Sequence, residues 1–276
     1  MQQNPPSLIS QCMAEFIGTF ILVFLGDTAI AVAVFAGAYD LAGVALMWGM
    51  GVVLAVYVVG AISGAHLNPA VSVAMVTLGK MPAGRLAPYA ISQVAGAFTA
   101  AVTIYLGWSG MFAAAAAKEG LEVGAAGSQK LMMIFSCFYP NPAMFGTDQA
   151  AFARVSTGSA FLLEVVMTAL LVIVILAVTN ERNSLAPKSN LAPYFIGLTV
   201  MTMVGIGAPA TMTAINPARD FGPRLFGWLI GYGDIAFPGP RGNEWWLYIV
   251  APIIGALLGA LIYQKGVNRF LPENGS

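Results

Sequence analysis

The chain has 276 residues, 58% of them hydrophobic and only 9% charged, with a mean hydropathy of +0.79. A water-soluble domain of this size lacks the polar surface to cover that composition, so the solvent it implies is lipid. The formal net charge is zero, which offers no basic face to nucleic acid and no acidic tail to a charged partner. The two cysteines, Cys12 and Cys137, and the single histidine, His66, make neither a disulfide framework nor a ligand cluster, so no metal or other cofactor is expected.

In chain order, apolar windows at 8–36, 40–61, 85–107, 158–179, 191–208 and 245–265 are each long enough to cross a hydrocarbon core about 30 Å thick. The first lacks a charged n-region before it and is too long for a signal-peptide core, so it reads as a retained helix. Glycines inside these windows, Gly49, Gly96, Gly197 and Gly255 among them, suit close helix packing in lipid. Two shorter apolar stretches, 68–79 and 217–228, each open on Asn-Pro and cannot cross alone. The reading is an all-α membrane protein of six transmembrane helices plus two re-entrant half-helices.

Three spans, with a half-helix between the second and third, occur twice: 8–107 forms a first repeat and 158–267 a second, followed by a tail at 268–276. The spacing from Glu15 to Asn68 and from Glu164 to Asn216 agrees to within one residue. Because three is odd, the second copy enters from the opposite side, giving an inverted repeat. The connection 108–157, containing Ala113–Ala117 and Tyr139-Pro140-Asn141-Pro142, reads as a variable extracytoplasmic loop. Lys80, Arg85, Arg182, Lys188, Lys265 and Arg269 share one side and would be cytoplasmic with both termini inside. The other side carries as many basic residues, but largely in the long connection and the second half-helix region, where the positive-inside rule counts for less, so both termini are expected in the cytoplasm.

At Asn68-Pro69-Ala70 and Asn216-Pro217-Ala218 a favoured N-cap residue precedes proline at the first helical position. Two such N-termini facing each other at the midplane carry partial positive charge and repel cations. The Asn amides add donors that orient a passing oxygen and interrupt a proton wire. The preceding stretches must be non-helical, with carbonyls of Gly64, Ala65, His66, Met212 and Ala214 facing a wet cavity. Glu15 and Glu164, carboxylates within the spans, read as braces for the backbone of those loops, with proton coupling as the alternative. Gln93 reads as an interhelical hydrogen-bonding group, and Val52 and Val200 extend an apolar wall.

Ser63-Gly64-Ala65-His66-Leu67-Asn68-Pro69-Ala70 and Asn216-Pro217-Ala218-Arg219-Asp220-Phe221-Gly222-Pro223 resemble the signature regions of the aquaporin family, with Ala14–Thr19 and Ser92–Ala97 fitting its first and third helices. Asp220, with Arg224 four residues later, is similar to the glycerol-conducting branch. The resemblance implies a passive channel in the cell membrane, assembled as a homotetramer, for water, glycerol and related polyols, urea or metalloid acids. It implies a selectivity filter at Trp48, Val204, Thr213 and Arg219. Glycerol channels usually join the tryptophan to a glycine and a second aromatic, so Val204 and Thr213 are a departure that leaves the preferred solute open. A secondary transporter using the repeat for alternating access is the alternative; no nucleophile, base and orienting group come together to suggest an enzyme. Asp27, about 18 Å along the first helix from Glu15, has no counterpart in the family pattern. It is expected to reach the outer rim or to meet a base of the long loop.

Overall fold

Ser7 starts the first span by accepting from the Ser10 N–H, and Gly37, at φ 60°, ends it in the left-handed conformation. The computed structural model describes residues 6–272; residues 1–5 and 273–276, the last four of the expected tail, lie outside them. Among the described residues all regular elements are helical. The spans are α1 (Leu8–Ala36), α2 (Leu41–Ser63), α4 (Leu86–Glu119), α8 (Thr157–Val178), α9 (Ala192–Thr211) and α11 (Glu244–Ile262), all long and apolar enough to cross a membrane. The half-helices are α3 (Pro69–Thr77) and α10 (Pro217–Gly227).

The same packing recurs in each half: α1 lies against α2 and α4, and α8 against α9 and α11. The half-helices cross over, α3 resting chiefly on α11 and α10 chiefly on α4, while α2 and α9 join the halves. The glycines permit these approaches. A Cβ at Gly49 would meet the Gly197 carbonyl and one at Gly197 the Gly49 carbonyl, so the α2–α9 crossing depends on both; a Cβ at Gly96 or Gly255 would strike the backbone of α1 or α8.

Two expectations are corrected. The third span does not stop at 107 but continues to Glu119 through a kink at Trp108 (φ −115°, ψ 17°). The segment after it is not mainly a surface loop. It carries three single-turn helices, α5 (Gln129–Met132), α6 (Pro142–Phe145) and α7 (Gln149–Phe152), and Leu131 through Pro142 are buried. Asn141 ties it down, its N–H donating to the Pro209 carbonyl at 3.1 Å and its amide to the Ala208 carbonyl at 3.3 Å.

Candidate functional site

Both half-helices begin as their triplets require. Asn68 and Asn216 are extended N-caps with proline in the first turn; Asn68 Oδ1 accepts from the Ala70 N–H, and Asn216 Oδ1 from those of Ala218 and Arg219. Pro69, Ala70, Pro217 and Ala218 are buried. The Asn68 amide donates to the Ile215 carbonyl and the Asn216 amide to the Leu67 carbonyl, both at 2.8 Å. An Asn amide has two N–H groups, so one on each remains for the cavity that both residues line.

The stretches before the triplets are strained. Ala65, Leu67, Met212, Thr213 and Ile215 have φ between 44° and 57°, a conformation costing a β-carbon-bearing residue roughly 1–3 kcal/mol. Two buried carboxylates hold them there. Glu15 accepts from the His66 N–H at 2.9 Å and the Leu67 N–H at 2.7 Å; Glu164 accepts from Ala214 at 3.0 Å, Ile215 at 2.8 Å and the Thr211 hydroxyl at 2.7 Å. Gln93 donates to Glu15 at 2.8 Å and lies 3.2 Å from the Ser72 hydroxyl, which is also 3.1 Å from His66 Nδ1.

Two cavities lie end to end. The larger, about 420 Å³, is lined by Val52, Gly64, Ala65, His66, Asn68, Val200, Thr213, Ala214, Asn216 and Arg219, and reaches Lys80 and Thr179 at one face. The smaller, about 240 Å³, holds Met212 and opens beside Tyr39, Asp40 and Met144. Trp48 and Val204 line both, so the two cavities adjoin at these side chains. Met212 therefore belongs to the opposite chamber from Gly64, Ala65, His66 and Ala214. The Thr213 hydroxyl turns from the cavity to donate to the Met203 carbonyl at 3.3 Å.

Arg219 lines the larger cavity beside Trp48, its guanidinium carbon 4.4 Å from the centre of a Trp48 ring. Nη1 donates to the Phe135 carbonyl at 3.4 Å. Nη2 lies 3.4 Å from Asp27 Oδ1, and both side chains are buried. Asp27 thus reaches neither the outer rim nor a base of the long segment; it faces the second half-helix. Asp220 and Arg224 form a separate buried pair, Nε to Oδ2 at 2.8 Å and Nη2 to Oδ1 at 3.0 Å. The long segment completes that pair: the Cys137 N–H donates to Asp220 at 2.7 Å and the Cys137 carbonyl accepts from Arg224 at 2.6 Å. Burial pushes the Cys137 thiol well above its ordinary value, so it stays neutral. Sequence reasoning missed Asp27 as the partner of Arg219 and missed the carbonyls of Phe135 and Cys137. Among the described residues no three His, Cys, Asp or Glu side chains converge as a metal site.

Comparison with known proteins agrees with this geometry. The family described as Major intrinsic protein matches residues 2–263. A glycerol uptake facilitator protein of Pseudomonas aeruginosa is 43% identical over 270 residues, 97% of this chain and 92% of that protein. A propanediol uptake facilitator of Citrobacter freundii is 40% identical over 97% of this chain and 96% of its own length. Among solved structures, the aquaglyceroporin from Plasmodium falciparum superposes with a TM-score of 0.81 at 27% identity, covering 96% of this chain and 99% of that one. With six spans, paired Asn-capped half-helices and similarity along nearly its whole length, the chain belongs to the major intrinsic protein family and is an integral multi-pass membrane protein.

Proposed function

We propose that the protein is a passive channel for glycerol and related small uncharged solutes, water included. The observation that carries this is the pair of half-helix N-termini at Asn68 and Asn216, each with an amide N–H left for the larger of two adjoining cavities that together reach toward both faces. A hydroxyl oxygen passing there accepts from the amides, while the helix ends repel cations. The glycerol and propanediol uptake facilitators among its relatives support a polyol as solute.

Trp48, Val204, Thr213 and Arg219 are the filter in this reading. Trp48 and Val204 give an apolar side for a carbon backbone, and Arg219 gives the donor side. Val52 and Val200 continue the apolar wall, which keeps binding weak and conduction fast. The carbonyls of Gly64, Ala65, His66 and Ala214 form a ladder of acceptors in one chamber, with Met212 in the other. Alternating access would require the halves to rock apart, breaking both Asn-to-carbonyl bonds and exposing the bracing carboxylates.

In this reading both termini lie in the cytoplasm, on the side of Arg182, Lys188 and Lys265, and the protein assembles as a homotetramer with one passage per subunit, as the family resemblance implies. The exposed apolar side chains of Leu54, Val58, Leu106 and Leu162 then lie against lipid or neighbouring copies. Stopped-flow light scattering on proteoliposomes tests the function. Fast, non-saturating glycerol flux that is indifferent to a proton gradient is expected; saturation at low concentration or dependence on that gradient would overturn it.

A further inference from the structure

Among the described residues, Asp27 is the one carboxylate beside Arg219 that neither braces a re-entrant loop nor belongs to the Asp220–Arg224 pair. It is fully buried on α1, and neither oxygen has a hydrogen-bond partner. An ionised carboxylate so placed requires a counter-charge. The Arg219 guanidinium, 3.4 Å away, is that charge. The competing acid, Asp220, is already engaged by Arg224 and the Cys137 N–H. The other contacts of Arg219, the Trp48 ring and the Phe135 carbonyl, carry no formal charge.

The backbone of α1 is shaped for this. A Cβ at Gly26 would overlap the Trp48 ring, so the helix presses against the same tryptophan that Arg219 covers, and the next residue along it reaches the guanidinium.

We propose that Asp27 is a positioning and specificity-determining residue of the filter. It holds Arg219 against Trp48 and leaves the constriction with no net charge, so that cation exclusion falls mainly on the half-helix N-termini at Asn68 and Asn216. This rests on the channel reading. A lone guanidinium would impose a monopole on the passage; the close pair presents a dipole, whose field decays faster with distance. Discrimination against ions of either sign then comes from desolvation and from the midplane, and an uncharged polyol meets a wall without strong binding.

The test is the anion-to-cation permeability ratio of proteoliposomes under a potassium nitrate gradient at pH 8.5, with glycerol flux measured in parallel. Asp27→Asn leaves Arg219 uncompensated, and the ratio is expected to rise at least about threefold, the equivalent of roughly 0.65 kcal/mol. Arg219→Leu leaves Asp27 uncompensated and is expected to lower it. The Asp27→Asn/Arg219→Leu double variant is expected to return toward the wild-type ratio. A ratio unmoved by Asp27→Asn, or a double variant that does not return, overturns the proposal. Should Arg219→Leu fail to assemble, Asp27→Asn against Asp27→Glu decides: the proposal requires that loss of charge move the ratio and that the charge-retaining change leave it near wild type. Absence of glycerol flux in the wild type would instead count against the channel reading.

Discussion

Asn68 and Asn216 are tied reciprocally, the amide of each donating at 2.8 Å to the carbonyl just before the other. The two helix starts are thus fixed to each other through the backbone, and each residue uses one oxygen for its cap and one N–H for the opposite loop. Asn68→Asp separates these tasks. Aspartate caps a helix as well as asparagine but cannot donate to Ile215, and it brings negative charge to the midplane. Glycerol flux is expected to fall about tenfold or more, consistent with roughly 1.5–3 kcal/mol for a lost bond and an unpaired acceptor, and a potassium leak is expected to appear in proteoliposomes. Unchanged glycerol flux without leak would remove Asn68 from the passage.

Glu164 is the acceptor for two backbone N–H groups and one hydroxyl. In Glu164→Gln, one carboxylate oxygen becomes a donor and faces another donor. Each unsatisfied buried N–H costs about 1–3 kcal/mol, and the left-handed residues it restrains, Met212, Thr213 and Ile215, lose support. The expected result is a lower unfolding midpoint in detergent and less assembled protein. Whatever channel survives should show glycerol flux still indifferent to a proton gradient. Abolished flux in a fully stable variant would point to proton coupling instead.

Val204 and Trp48 are the side chains common to both cavities. Val204→Gly is expected to widen the constriction, raising flux of four- and five-carbon polyols relative to glycerol, at a stability cost of about 0.5 kcal/mol from helix propensity alone. Thr213→Phe should act oppositely on shape. Gly207 and Met167 crowd the protein side of Thr213, so a phenyl ring must project into the passage. The glycerol-to-urea ratio is expected to rise; a ratio unaffected by either change would take these residues out of the filter.

The sequence made the spans and triplets legible because their signals are local: apolar length sets a crossing, and Asn-Pro sets a helix start. The extension of α4 to Glu119 had a readable sign in Ala113–Ala117, since alanine is the best helix former, although those alanines lie in the stretch expected as the connection. The Asp27–Arg219 pair had none. It joins the first span to the second half-helix, a contact decided by how the halves interlock. Nor do the Phe135 and Cys137 carbonyls announce themselves, because a backbone acceptor is the same for every residue type.

Gly222 sets how closely α10 approaches α4. A Cβ there would fall 2.7 Å from the Val94 carbonyl oxygen and 2.9 Å from the Phe98 nitrogen, both backbone atoms that cannot swing aside. Gly222→Ala must push the half-helix outward, moving Arg219 and Arg224 with it. The expected outcome is a clear drop in the detergent unfolding midpoint together with reduced glycerol flux. Gly84→Ala, where a Cβ meets nothing within 4 Å, serves as the control and should leave both near wild type.

Membrane orientation can be read from two surface positions. Leu185, 89% exposed, lies between α8 and α9, on the face where Arg182 holds the segment after α11 by donating to the Pro272 carbonyl at 3.1 Å. Val123, 45% exposed, lies between α4 and α5, on the opposite face. With Cys12→Ser as background, Cys137 contributes no labelling, because it is fully buried and its thiol stays neutral. Val123→Cys is expected to react with an impermeant maleimide on intact cells. Leu185→Cys should react only after the membrane is opened, as the basic residues Arg182 and Lys188 beside it require. The reverse pattern would invert the proposed orientation while leaving the channel intact, because the two half-helices enter from opposite faces whichever way the chain is inserted.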